Sequence, residues 1–145
     1  MFIGNSFTFY NGMPDMVRNL AEHAGHKLIL DTQTIGGSSL KDHWNATKRT
    51  TTMYKIRDGS SGQPWDIIVL NEQSSRPAYN DTEVCDRTYP YAEKLTNYIR
   101  KYNPKAKIQW YMTWGWKNGF QKRCAKYPAM CSYDTMQKRV EETYM

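Results

Sequence analysis

The sequence lacks a continuous apolar run of the roughly 20 residues that a membrane-spanning helix requires. Its first residues also lack the basic stretch and apolar core of a signal peptide. No Gly-x-Gly-x-x-Gly phosphate loop, helix-turn-helix, zinc finger or aromatic RNA-binding signature is present. These absences argue against a membrane span and a nucleic-acid partner, and they weaken the hypothesis of a flavodoxin-like nucleotide or phosphate binder.

Histidine and cysteine are scarce, with three of each in 145 residues. His23 and His26 fall at the end of a helical pattern without an evident third ligand, so we interpret them as a solvated helix end and expect no metal site. Cys124 and Cys131 bracket a short loop and predict a disulfide, with Cys85 left as a free thiol. Together with two Asn-x-Thr sequons, this disulfide gives a weak lean towards a secreted or extracytoplasmic location and does not define the compartment.

Positive charge is in excess, with a net charge of +6 and an isoelectric point of about 9.2. The basic residues are dispersed except for a loose cluster late in the chain, which we interpret as a solvated surface rather than an anion-binding face. That cluster comprises Lys117, Lys122, Arg123, Lys126, Lys138 and Arg139.

Short apolar strands alternate with amphipathic helices along the chain. We predict strands over 1–3, 27–35, 65–70 and 106–113, and helices over 13–24, 90–102 and 134–145. A short helix capped by Ser38 or Ser39 is expected between the second and third strands. Residues 48–64 are predicted to be partly loop, and 115–133 a long loop. The alternation predicts one α/β domain over 1–145 with a parallel sheet and helices on both faces.

Three polar segments follow predicted strands. Gly4-Asn5-Ser6 ends the first, Gly36-Gly37-Ser38-Ser39 the second, and Asn71-Glu72-Gln73-Ser74-Ser75 the third. Because open α/β sheets bind ligands at the carboxyl ends of their strands, these segments are expected to form one site.

Together the three segments resemble the first three sequence blocks of the SGNH/GDSL hydrolase superfamily of serine esterases and lipases. The resemblance implies a flavodoxin-like three-layer α/β/α sandwich and chemistry that needs no cofactor or metal. The third segment departs from the common Gly-x-Asn-Asp pattern of the family. Glutamine in place of that asparagine resembles a subset of carbohydrate-esterase-like members.

The resemblance implies that Ser6 is the nucleophile and that its backbone N–H is one donor of the oxyanion hole. Gly37 is the expected second donor, with Gly36 as the alternative one residue away, because a Gly-Gly turn lets the backbone approach a ligand closely. Gln73 is the expected third donor through its side-chain amide, and Asn71 is the alternative.

The fourth block of the family, a C-terminal Asp-x-x-His that supplies two members of the triad, has no evident counterpart here. We therefore expect the sequence to be C-terminally incomplete and inactive, or nearly so, by itself. His43 is in the wrong chain order for the triad base but could lie at the rim of the pocket. Trp114 and Trp116 are candidates for the same rim, where they would stack on sugar rings, or else for core or lid packing.

The sequence thus predicts an ester hydrolase that removes small acyl groups, such as acetyl from carbohydrate. Its partner would be a small ester or an acylated carbohydrate. The alternative is a non-catalytic ligand- or carbohydrate-binding protein on the same fold, since no suitable triad base is visible.

Overall fold

Four parallel strands form one sheet in the computed structural model, which describes residues 1–47 and 51–145. The strands are β1 (Phe2–Gly4), β2 (Thr32–Thr34), β3 (Ile67–Leu70) and β4 (Lys107–Trp110), in the order β2-β1-β3-β4. The chain leaves β1 for β2 on one side and then crosses to β3 on the other. The carboxyl ends of β1 and β3 therefore flank a topological switch point, the usual ligand position in such sheets.

Eight α-helices connect and follow the strands in the part of the chain that the structure describes. They are α1 (Ser6–Phe9), α2 (Met13–His23), α3 (Leu40–Thr47), α4 (Thr51–Asp58), α5 (Asp81–Arg87), α6 (Tyr89–Tyr102), α7 (Gln121–Cys124) and α8 (Tyr133–Tyr144). Short 3-10 helices lie at Tyr10–Gly12, Arg76–Ala78 and Pro128–Cys131. No helix in the described ranges has both the length and the apolarity needed to cross a membrane.

One face of the sheet is covered by α3, α4 and α6 and forms the main core. Ile3, Ile68 and Leu70 point to this face and pack with Ile56 of α4 and Ile99 of α6. A second cluster, which includes Tyr79, Tyr127, Met130, Met136 and Val140, holds α8 against the 3-10 helices.

The opposite face is only partly covered by α2. Phe2, Ile67 and Val69 point to this face because side chains alternate along a strand, and they border a groove with Val17 of α2. Leu20 in α2 is 71% exposed, so much of the apolar stripe of this helix is in contact with solvent.

The structure confirms the predicted parallel α/β sheet with helices on both faces. The second strand is shorter than expected, and α4 lies within the segment that was predicted to be partly loop. Buried Ile56 explains this helix, since its side chain completes the main core. Residues 48–50 of the same segment lie outside the described ranges.

A disulfide joins Cys124 and Cys131 within the long segment after β4, and Cys85 is free and exposed. Two members of the basic cluster form ion pairs nearby. Arg139 Nη2 lies 2.6 Å from Asp81 Oδ1, and Lys126 Nζ lies 3.3 Å from a carboxylate oxygen of Glu83. These pairs fit the interpretation of the cluster as a solvated surface.

Candidate active site

Ser6 is the first residue of α1 and is separated from the end of β1 by Asn5 alone. The preceding residue, Asn5, caps this helix by accepting a hydrogen bond from the Phe7 N–H at 3.1 Å. Ser6 is half-buried, and within the described ranges neither its Oγ nor its backbone N–H forms a hydrogen bond. Both groups are therefore available to a ligand at the carboxyl edge of the sheet.

Gly4 lets the neighbouring strand-end segments approach β1 closely. A Cβ at this position would collide with Asn71 Oδ1 and Thr8 Oγ1. These two atoms are joined by a hydrogen bond of 2.7 Å that ties α1 to the end of β3. Because only glycine leaves room for this bond, the packing around position 4 requires glycine.

The buried side chain of Asn5 connects all three strand-end segments. Its Nδ2 donates to the Ser38 carbonyl at 2.9 Å and to the Glu72 carbonyl at 3.1 Å. Its Oδ1 accepts from Asn71 Nδ2 at 3.1 Å as well as from Phe7. A single amide thus holds the segments after β1, β2 and β3 within hydrogen-bond distance of one another.

Gly37 lies in a tight turn after β2. The Ser38 N–H donates to the Ile35 carbonyl at 3.1 Å, and Gly37 at the third position of the turn has a φ of 71°. A positive φ at this position is typical of a type II turn and favours glycine. The backbone N–H groups of Gly36 and Gly37 donate to no acceptor in the described residues, so both candidate donors remain available.

The two candidate amide donors after β3 have different surroundings. Asn71 is buried, and its Nδ2 donates to Asn5 Oδ1 and to the Glu72 carbonyl, so both of its hydrogens are engaged. Gln73 is half-buried, and its Oε1 accepts from the N–H and the hydroxyl of Ser75 at 3.2 and 3.0 Å. Its Nε2 donates to nothing in the described part of the chain, which favours Gln73 over Asn71 as the donor.

Glu72 is buried behind these segments, with 1% of its surface exposed. Its Oε1 accepts from the Leu40 N–H at 3.0 Å, at the start of α3, and from the Gln73 N–H at 2.7 Å. Burial raises the pKa of this carboxyl, although the N–H groups of Gln73 and Leu40 favour its ionised form. Glu72 therefore links the Gly37 turn, which leads into α3, to the Gln73 segment.

The prediction that His43 lies at the rim is wrong, because the side chain is fully buried. Its Nε2 lies 2.8 Å from the Gly4 carbonyl. A carbonyl only accepts, so Nε2 carries the proton in this bond. Burial lowers the pKa of His43 and favours the neutral ring. His43 therefore holds the end of β1 through this hydrogen bond. His23 and His26 are exposed around the end of α2.

A cavity of about 470 Å³ lies beside Ser6. Its walls are mostly aromatic or thioether side chains, with the polar groups of Asn11 and two tyrosines among them. They are Phe7, Tyr10, Met13, Met16, Tyr111 and Trp114. The cavity can accept an apolar acyl group or the alcohol part of an ester.

Trp114 and Trp116 are both exposed after β4, at 46% and 36%. The ring of Trp114 lies 4.3 Å from that of Phe7, next to Ser6. Trp116 stacks on Phe120 at 4.4 Å, and its Nε1 donates to Ser74 Oγ at 3.3 Å. Both indoles therefore lie close to the strand-end segments.

Comparison with solved structures supports the class that the fold and the site suggest. The chain is similar to a protein described as "a putative SGNH hydrolase from Slackia heliotrinireducens", with a TM-score of 0.69 and 28% sequence identity. The match covers 99% of this chain and 69% of that one. Neither the protein-family models nor the curated proteins give a match. The chain thus has an SGNH hydrolase fold, and the likeness supports assignment to that superfamily.

Sequence reasoning missed the parts played by Asn5 and Glu72. Asn5 lies between a strand and a helix, and an asparagine there is a recognisable helix cap. Its bonds to the segments after β2 and β3 depend on the order of the strands, which its local sequence does not carry. Glu72 follows a buried strand, and nothing in the local sequence distinguishes a buried glutamate at this position from a solvated turn residue.

Proposed function

We propose that the protein is an SGNH-type ester hydrolase with Ser6 as its nucleophile. The supporting observation is the bridging amide of Asn5, which gathers Ser6, the Gly37 turn and the Gln73 segment at one edge of the sheet. The Ser6 hydroxyl would attack the ester carbonyl. The N–H groups of Ser6 and Gly37 and the Gln73 amide would stabilise the negative charge that develops on its oxygen.

We further propose that the acyl group is small and the alcohol part a carbohydrate. The exposed indoles of Trp114 and Trp116 favour a ligand with flat apolar faces. The cavity beside Ser6 adds tyrosine hydroxyls and Asn11, which can hydrogen-bond to sugar hydroxyls. An oxyanion hole built from N–H donors needs no metal ion or cofactor.

A proton acceptor for Ser6 is not evident in the described residues, since two of the three histidines already bond to backbone carbonyls. His43 is buried and bonded to the Gly4 carbonyl, and His23 donates from Nδ1 to the Asn19 carbonyl in its own helix at 2.8 Å. We therefore expect the 145-residue chain to hydrolyse esters slowly or not at all. The same observation favours the alternative function, a non-catalytic carbohydrate-binding protein on this fold.

Labelling with a fluorophosphonate, read by intact mass and peptide mapping, separates the two functions. We expect Ser6 to be labelled when imidazole is added as an external base, and labelling to disappear in Ser6→Ala but not in Ser60→Ala. A folded chain that is not labelled even with imidazole would contradict the hydrolase and support the binding protein. Fast labelling without imidazole would contradict the expected inactivity and point to His43 as the base.

A further inference from the structure

A second cavity shares Trp114 with the Ser6 cavity. It is an open cleft of about 690 Å³, lined by Trp114, Gly115, Trp116, Lys117 and Tyr133. We refer to these five residues as the aromatic cleft. Because one indole borders both cavities, a ligand that extends from Ser6 past Trp114 enters this cleft.

Three large rings are exposed in the aromatic cleft. Trp114, Trp116 and Tyr133 have 46%, 36% and 44% of their surface in contact with solvent. Single exposed apolar residues are common on proteins, but a group of aromatic rings around one cavity is typical of a binding surface. The rings are therefore more than incidental surface residues.

The backbone of the cleft is held in place before any ligand binds. The Gly115 N–H donates to Gln137 Oε1 at 2.9 Å. A Cβ on Gly115 would lie 2.9 Å from the Gln137 nitrogen and 3.0 Å from the Tyr133 carbonyl oxygen, so this segment packs directly on α8. Trp116 is also fixed by Phe120 and Ser74. A fixed surface loses little conformational entropy when a ligand binds.

The openness of the cleft favours a sugar over a wholly apolar ligand. Pockets for apolar small molecules bury most of the ligand surface. An open cleft covers one face and leaves the other in water. A pyranose ring fits this arrangement, since its C–H face packs on an indole while its hydroxyl groups stay hydrated.

The charge of the cleft favours an acidic ring. Lys117 is the one charged residue among the five that line it, and its side chain is exposed. In the described ranges Lys117 forms no ion pair, in contrast with Arg139 and Lys126 of the same basic cluster. Its ammonium group is available to a carboxylate on the ligand.

We propose that the aromatic cleft binds a sugar ring of an acidic oligosaccharide, next to the ring whose ester lies at Ser6. The position of the ester rests on the proposed function, whereas binding in the cleft does not. The protein would then act on uronic-acid-containing oligosaccharides or polysaccharides of at least two rings rather than on acylated monosaccharides.

Isothermal titration calorimetry of the 145-residue chain with a galacturonic acid tetramer tests this proposal, with a neutral glucose tetramer as the matched ligand. We expect the acidic tetramer to bind about tenfold more tightly at low salt, where charge interactions are least screened. Trp116→Ala should weaken binding about tenfold or more, as truncation of a central aromatic contact does. Tyr54→Ala, which removes an exposed ring elsewhere, should leave binding unchanged.

Lys117→Glu keeps both indoles and should abolish the preference for the acidic tetramer, which makes the test independent of any loss of stability in Trp116→Ala. No binding of either tetramer by the folded chain would overturn the proposal, as would binding that both variants leave unchanged. Binding of an apolar dye alone would also overturn it. Oligosaccharide binding without fluorophosphonate labelling at Ser6 would contradict the proposed hydrolase activity and support sugar binding in the aromatic cleft. Labelling without oligosaccharide binding would support the hydrolase activity and overturn the proposal for the cleft.

Discussion

The carboxyl edge of the sheet is built in two different ways. After β1, β2 and β3 it consists of buried polar groups that bond to one another through Asn5 and Asn71. After β4 it consists of exposed aromatic rings, chiefly Trp114 and Trp116. In the first region a displaced group leaves a buried polar atom without a partner, which costs more than the bond itself contributes. In the second region a displaced ring loses contact area and, for Trp116, the one hydrogen bond from its Nε1 to Ser74 Oγ.

This difference matches the two proposed roles, ester hydrolysis in the first region and sugar binding in the second. Attack on an ester needs a hydroxyl and several donors in fixed positions, and a network of buried hydrogen bonds supplies that rigidity. Binding a hydrated sugar needs an accessible surface. Substitutions in the polar network should therefore change the free energy of unfolding, and substitutions in the aromatic cleft should change the affinity for the sugar.

The largest expected effect is that of Gly4→Ala. The new Cβ would collide with Asn71 Oδ1 and Thr8 Oγ1 and break the bond between them. We expect the free energy of unfolding to fall by about 3 kcal/mol or more, at the upper end for an overpacked core. Urea denaturation followed by circular dichroism measures this change.

Gly36→Ala is the matched control, since a Cβ there would meet only the Phe9 ring, at 4.0 Å. Its effect should stay within about 1 kcal/mol, because alanine in place of an unstrained glycine is tolerated or slightly stabilising. Equal stabilities for the two variants would contradict the close packing that the structure assigns to Gly4.

A smaller loss is expected for Asn5→Ala, which removes the bridging amide and the cap of α1. Several buried partners lose a hydrogen bond at once, so the free energy of unfolding should fall by about 2–4 kcal/mol. Asn80→Ala removes a cap that accepts from the Glu83 N–H at 2.9 Å but is exposed and bridges nothing. That control should lower the free energy of unfolding by about 1 kcal/mol. Thermal denaturation measures both variants, and equal losses of stability in Asn5→Ala and Asn80→Ala would show that Asn5 acts only as a helix cap.

The sequence and the structure agree best where local patterns decide the outcome. Alternating strands and helices predicted the parallel sheet, and the polar strand ends correctly located the segments that Asn5 brings together. Position in the interior was harder to predict. His43 follows the Gly37 turn in sequence and is therefore expected at the rim, but α3 packs against β1 and turns the ring inward to the Gly4 carbonyl. Such contacts join residues far apart in sequence, and neither composition nor spacing reveals them.

The smallest and most specific effect is expected from Glu72→Gln, which keeps an oxygen acceptor for the N–H groups of Leu40 and Gln73. Because burial raises the pKa of Glu72, the folded protein holds this proton at a pH where the unfolded chain has released it. The contribution of Glu72 to stability is therefore full at acidic pH and declines as pH rises above the usual glutamate value. Near pH 4 the two proteins should differ by about 1.5 kcal/mol or less.

Towards pH 7 the glutamine variant should become progressively more stable relative to the wild type, as urea denaturation across this range would show. Glu93→Gln, at an exposed position on α6, is the matched control for the loss of one carboxylate, and the stability of Glu72→Gln should depend on pH differently from it. If the difference between Glu72→Gln and the wild type does not change with pH, then burial does not act on the Glu72 carboxyl. The polar network would then be open to water, and the contrast with the aromatic cleft would disappear.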